Sequence, residues 1–187
     1  MTETTMTSDN KTVVQYNEVI EQCRNIFEAK AKDYGTSWRI LRLPSITDQI
    51  FIKAQRIRTI DLKGTKKVDE EIDSEFIGIL NYAVIGLIQL ELKDDSGEEI
   101  SFEEAVSLFN KKTEEAKELM LKKNHDYGEA WRDMRVSSFT DLILMRVNRM
   151  RQIEDNAGKT IMSEGVESHL FDTINYAVFA LIKLSEK

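Results

Sequence analysis

Apolar residues recur with helical spacing along nearly the whole chain. Val13, Tyr16, Ile20, Cys23 and Phe27 fall on one face of a 3.6-residue period, which predicts an amphipathic helix over residues 12–32, stopped by Gly35. Pro44 lies in the connection to a second helix, for which Thr47 and Asp48 are suitable cap and first-turn residues and whose apolar face is Ile50, Phe51, Ala54, Ile57 and Ile60. The turn Lys63-Gly64-Thr65-Lys66-Lys67 ends it. An acidic run from Asp69 to Asp73 then opens a third helix, because negative charge favours a helix N-terminus, and Phe76, Leu80, Ala83 and Leu87 continue it. Asp94-Asp95-Ser96-Gly97 breaks the pattern, and Ser101-Phe102-Glu103-Glu104 is a capping box for a fourth helix that runs to about His125. A fifth is expected from Thr140 to just before Asn156-Ala157-Gly158, and a sixth from near Ser163. Strand patterns are nearly absent, so the expected class is all-α.

The pattern is written twice. Asp33-Tyr34-Gly35, Trp38-Arg39, Arg42, Ser45, Thr47-Asp48, Ile50, Arg56, Arg58 and Ile60 reappear without a gap, 93 positions later, from Asp126-Tyr127-Gly128 through Trp131-Arg132 to Arg149, Arg151 and Ile153. Asn81-Tyr82-Ala83-Val84 returns 94 positions later as Asn175-Tyr176-Ala177-Val178. Three amphipathic helices make a thin core by themselves. Two such units packed about a pseudo-twofold axis make an adequate one, so the expected architecture is a six-helix bundle of two tandem three-helix repeats. Residues 1–11 read as a disordered lead-in, 12–93 as the first repeat, 94–100 as a linker and 101–187 as the second repeat, the two packed as one domain.

Composition narrows the setting. A single cysteine, Cys23, excludes an internal disulfide framework and suits a reducing compartment. The Thr- and Ser-rich start has no apolar signal core, and a cytoplasmic location is expected. The apolar stretches 77–92 and 170–184 are interrupted by Gly78, Asn81 and Gln89, or by Asp172, Asn175 and Lys183, and read as core helices with no membrane role. A net charge of −7 argues against a nucleic-acid polymer as partner, while basic stripes can still meet one small anion. The pattern leaves room for a homo-oligomer.

Candidate chemistry concentrates in the second repeat. Glu115, Glu118, Lys122 and Asp126 form one stripe on the fourth helix. His169, Asp172 and Tyr176 form another on the sixth, with Glu167 a turn before Asp172. Carboxylates on facing helices are how a bundle holds a hard divalent cation, so Glu115, Glu118, Glu167 and Asp172 are candidate ligands for Mg²⁺, with Glu167 and Asp172 nearest the chemistry. Lys123, Arg146 and Arg149 are candidate phosphate-binding groups. Asp172 stands out because an unpaired carboxylate between Phe171 and Ile174 would be costly, and Asn81 and Asn175 share that argument.

Each has a plainer reading. Glu115 and Glu118 can be a solvated face, Asp126 a turn cap before Tyr127-Gly128, Trp38 and Trp131 core anchors, and Arg146 and Arg149 structural salt-bridge partners of Asp172 and Glu167. His125-Asp126 lacks the upstream histidine of a metal-dependent HD site, and Gly158-Lys159-Thr160 lacks the first glycine of a phosphate loop. The first repeat has Gln22, Asn25 and Gly78 where the second has Glu115, Glu118 and Asp172, which places any metal site in the second half; Glu75, matching His169, is the acid the first half could lend.

The runs Lys123-Asn124-His125-Asp126-Tyr127-Gly128, Arg146-Val147-Asn148-Arg149, Glu167-Ser168 and Asp172-Thr173-Ile174-Asn175-Tyr176-Ala177 resemble the nucleotide modification associated domain of type 1, found in bacteria and phages. The first repeat departs from that pattern at Ala31 and at Gly78-Ile79. The resemblance implies a role in nucleotide or modified-base metabolism and no particular reaction. Glu115-Ala116-Lys117-Glu118, with Asp172 four residues before Tyr176, is also similar to helical nucleoside triphosphate pyrophosphohydrolases of the MazG and dimeric dUTPase type, although His169 stands where their second motif has Glu. Two expectations follow: a small-molecule nucleotide hydrolysed by a Mg²⁺-bound water, or a non-catalytic bundle that binds a nucleotide or a protein.

Overall fold

Both Asp-Tyr-Gly motifs are helix ends. Gly35 and Gly128 take φ of +63° and +60°, a region open to glycine at little cost, and there α1 (Ser8–Tyr34) and α4 (Phe102–Tyr127) stop. A short 3₁₀ turn follows each, Ser37–Ile40 and Ala130–Asp133, carrying the Trp-Arg pair. Then come α2 (Leu43–Lys63) and α3 (Asp69–Leu92) in the first repeat, α5 (Val136–Asp155) and α6 (Val166–Ser185) in the second. The computed structural model describes residues 8–64, 69–93, 96–160 and 164–187, and among these no residue is in a strand. The chain is all-α, and the six α-helices of the described residues are built as two tandem three-helix repeats.

The helix starts differ from the sequence pattern. α2 and α5 begin one turn before Thr47 and Thr140, capped by the extended backbone of Arg42 and Arg135, with Pro44 in the first turn of α2 where no N–H is needed. Thr47 lies inside α2, its hydroxyl donating to the Leu43 carbonyl at 3.1 Å or to Glu154 Oε1 at 2.7 Å. α1 begins at Ser8, inside the expected lead-in, whose residues 1–7 lie outside the described residues; so do turn residues 65–67, linker residues 94–95 and Ser163. α4 starts as the capping box requires, Ser101 Oγ accepting from the Glu104 N–H at 3.1 Å.

The packing obeys the pseudo-twofold. Each helix meets its own counterpart, α1 on α4, α2 on α5 and α3 on α6, and α1 touches α6 as α4 touches α3. Polar contacts repeat the symmetry. Arg151 pairs with Asp48 at 2.8 Å, and their equivalents Arg58 and Asp141 approach to 3.8 Å. Asn81 donates to the Cys23 carbonyl at 3.2 Å, and Asn175 donates to the matching Ala116 carbonyl at 3.1 Å, tying the first helix of each repeat to its third. One hydrophobic cluster runs through both repeats, including Ile46, Ile50, Phe76, Leu80 and Ile88 from one and Phe139, Ile143, Leu170, Ile174 and Ile182 from the other. Burial pushes the Cys23 thiol up to about 12, so it is an inert core group.

Ile72–Leu92 is long and apolar enough to cross a membrane, with a mean hydropathy of 1.4, contrary to the count of its polar interruptions. In the bundle 61 % of that window is buried, as befits a core helix packed on α2 and α6.

Candidate functional site

In the second repeat, α4, α5 and α6 bring Lys123, Arg146, His169, Asp172 and Tyr176 together. Asp172 is buried, accepting from Lys123 Nζ at 2.6 Å and pairing with Arg146 Nη2 at 3.0 Å, so the carboxylate that interrupts an apolar helix is neutralised in place. Arg146 also lies 3.2 Å from His169 Nδ1, with its guanidinium over the Tyr176 ring at 5.9 Å. Burial first, then the charges of Arg146 and Arg149, pull the His169 pKa below its ordinary value, which keeps the ring neutral and lets Nδ1 accept from Arg146.

The expected seat for Mg²⁺ is not formed. Glu118 and Glu167 are exposed, Glu115 is taken up by Lys112 at 3.3 Å, and Asp172 by its two cations. Among the described residues no three His, Cys, Asp or Glu side chains gather closely enough to hold a metal ion. Arg149 is exposed at the edge of the cluster and reaches it through its charge, which His169 feels. Asp126 and Tyr127 are exposed at the end of α4, Asp126 lying 3.3 Å from His125 Nδ1, and Gly128 serves the turn. Asn175 is structural, for besides its bond to α4 its Oδ1 accepts from the buried Tyr16 hydroxyl of α1 at 2.7 Å.

The open space is in the first repeat, in the half that the loss of acids marked as degenerate. A cavity of about 570 Å³ lies between α1, the first 3₁₀ turn, α2 and α3. Phe27, Tyr34, Trp38 and Tyr82 give it aromatic walls; Lys30, Lys53, Glu75 and Asn81 give it polar ones. Glu75 is held by Arg56 Nη1 at 2.6 Å and by Lys53 Nζ at 3.6 Å, and Lys53 also lies over the Tyr82 ring at 6.0 Å. Lys30 is exposed at the rim and makes no hydrogen bond or ion pair among the described residues.

Two of the replacements that remove volume from the first repeat's wall concern Trp38 and Gly78. In the second repeat Trp131 is buried and stacks on Phe179, ring centroids 4.3 Å apart. The residue matching Phe179 is Ile85, so Trp38 lacks that partner, stays half-buried and lines the cavity with only a tilted Phe27 at 6.3 Å. Gly78 likewise stands where Asp172 does and removes a side chain from the same wall. The sequence marks Trp38 as a core or interface anchor and Gly78 as the absence of an acid; the usable signal is the loss of volume at two aligned positions on one helix face.

A family model described as nucleotide modification associated domain 1 matches residues 30–90 and 123–184, one segment in each repeat. No curated protein and no solved structure matches the chain.

Proposed function

Because the chain belongs to the nucleotide modification associated domain 1 family, we propose that the cavity of its first repeat is the binding site for a small-molecule nucleotide. The observation that carries the reading is the lining of that cavity: four aromatic side chains with two lysines, beside Glu75, Asn81 and two serines. Nucleobases stack on aromatic rings for roughly 1–3 kcal/mol per base whatever their sequence, and Trp38 is the ring left without a stacking partner. Lysine ammonium groups meet phosphates as point charges. The volume of about 570 Å³ falls within the range of roughly 300–1,000 Å³ typical of small-molecule sites.

Tryptophan fluorescence tests it. Trp131 is buried under Phe179, so a ligand that enters the cavity changes the emission of Trp38. A panel of nucleosides and nucleotides is expected to contain at least one that shifts both emission and Tm, and Trp38→Phe removes the emission change. A panel in which nothing moves either signal ends the reading. Hydrolysis of a phosphoanhydride with Mg²⁺ is a more specific form of the same idea, and release of phosphate or pyrophosphate from nucleoside triphosphates is the measurement that would add it.

A further inference from the structure

We propose that the ligand of the first repeat carries an anionic group and that this group sits between Lys30 and the Lys53 ammonium, which lies over Gly78. The inference rests on the nucleotide reading above and places one part of that ligand. Its warrant is the second repeat, which is a built example of the same wall with the anion supplied by the chain. Lys30 matches Lys123, Lys53 matches Arg146 and Gly78 matches Asp172. In the second repeat the two cations close on the Asp172 carboxylate at 2.6 and 3.0 Å. In the first repeat both cations line the cavity, and the position of the carboxylate is a glycine.

The charges agree. The first repeat has moved its acid one helical turn back, to Glu75, where Arg56 holds it at 2.6 Å and Lys53 is the more distant partner at 3.6 Å. Lys30 has therefore lost the counter-ion that Lys123 keeps, and Lys53 is only loosely engaged. A cation pair beside an aromatic cavity with its carboxylate deleted is a place for an external oxyanion. The glycine lets Lys53 lie directly over the α3 backbone: a Cβ on Gly78 would come within 2.9 Å of Lys53 Cε and 3.2 Å of its Nζ, so the ammonium occupies the space of the absent side chain and meets the cavity from there. A nucleoside monophosphate supplies both a flat base and an oxyanion on one small molecule.

Titration calorimetry of the full chain with the four common ribonucleosides and their 5′-monophosphates tests this. The wild-type protein is expected to bind at least one monophosphate roughly tenfold or more tightly than its nucleoside, the scale of one charge-assisted hydrogen bond. Gly78→Asp supplies the carboxylate and is expected to abolish that preference. The group it displaces is the far end of a flexible lysine, and Tm reports whether the variant is folded. Lys30→Ala changes an exposed rim side chain, so it is expected to keep the Tm and nucleoside affinity of the wild type while lowering monophosphate affinity. Equal affinity for nucleoside and monophosphate, or a preference that survives both substitutions, ends the anion placement and leaves nucleotide binding standing. No binding of either compound class by the folded wild type ends both.

Discussion

Tyr16 and Phe109 occupy the same position in the two repeats and differ by one oxygen. The Tyr16 hydroxyl donates to Asn175 Oδ1 at 2.7 Å, whereas Asn81, the counterpart of Asn175, has a buried Oδ1 with no hydrogen-bond partner among the described residues, because Phe109 has nothing to donate. A buried polar atom left unpaired costs about 1–3 kcal/mol, while a net hydrogen bond contributes about 1 kcal/mol. Tyr16→Phe is therefore expected to lower unfolding free energy by about 1–2 kcal/mol, measured by urea denaturation. Phe109→Tyr is expected to be neutral to stabilising by up to about 1 kcal/mol if its hydroxyl reaches Asn81. A larger loss from Phe109→Tyr than from Tyr16→Phe would contradict the mirrored geometry. In the sequence both asparagines are costly interruptions of apolar helices. The sequence could not show that Asn175 is satisfied from the opposite repeat, because such a contact joins residues brought together only by the fold.

Helix ends were legible where a special backbone angle demanded a special residue, and less so where ordinary residues did the work. Gly35 and Gly128 announced the ends of α1 and α4, and Ser101 announced the start of α4. Arg42 and Arg135 cap α2 and α5 through extended backbone without any side-chain bond, so nothing in their chemistry advertised the role. The two glycines also differ in surroundings. A Cβ on Gly128 would meet nothing within 4 Å, whereas one on Gly35 would run into Glu99, whose carboxylate accepts the Thr36 N–H at 2.7 Å and helps dock the inter-repeat segment. Gly128 sits at φ +60° and ψ −155°, a region essentially closed to any side chain, so Gly128→Ala is expected to cost about 1–3 kcal/mol from backbone strain alone. Gly35→Ala adds a collision with Glu99 to its positive-φ strain, so its loss is expected to be less than additive with that of Glu99→Ala in a double-mutant cycle of Tm, and strict additivity would show that Glu99 moves without cost.

At the scale of the whole molecule, duplication was plain in the sequence, but the location of the open site was not. Acids at helical spacing drew attention to the second repeat, yet the fold pairs Asp172 with Lys123 and Arg146 and leaves Glu118 and Glu167 in solvent. The cavity arises from side chains that are missing, and a missing side chain reads as loss until its neighbours are known. The same symmetry makes a claim about what either repeat can do alone. α2 packs on α5 and α3 on α6, so a lone repeat exposes two apolar helix faces. A second copy of that repeat carries the matching faces. For residues 101–187 it also carries the matching charges, since Asp141 and Arg151 are the equivalents of Asp48 and Arg58 and would regenerate both cross-axis ion pairs. Even the unpartnered Thr140 hydroxyl would gain: its present counterpart across the axis is Asp61, one methylene shorter than the Glu154 that satisfies Thr47, and in a homodimer it would face Glu154. Residues 101–187 expressed alone are thus expected to form a two-fold dimer, measured by light scattering, with a Tm that rises with concentration. A cooperatively folded monomer at every concentration would mean that each repeat closes its own core, and that the packing across the axis contributes little to the fold.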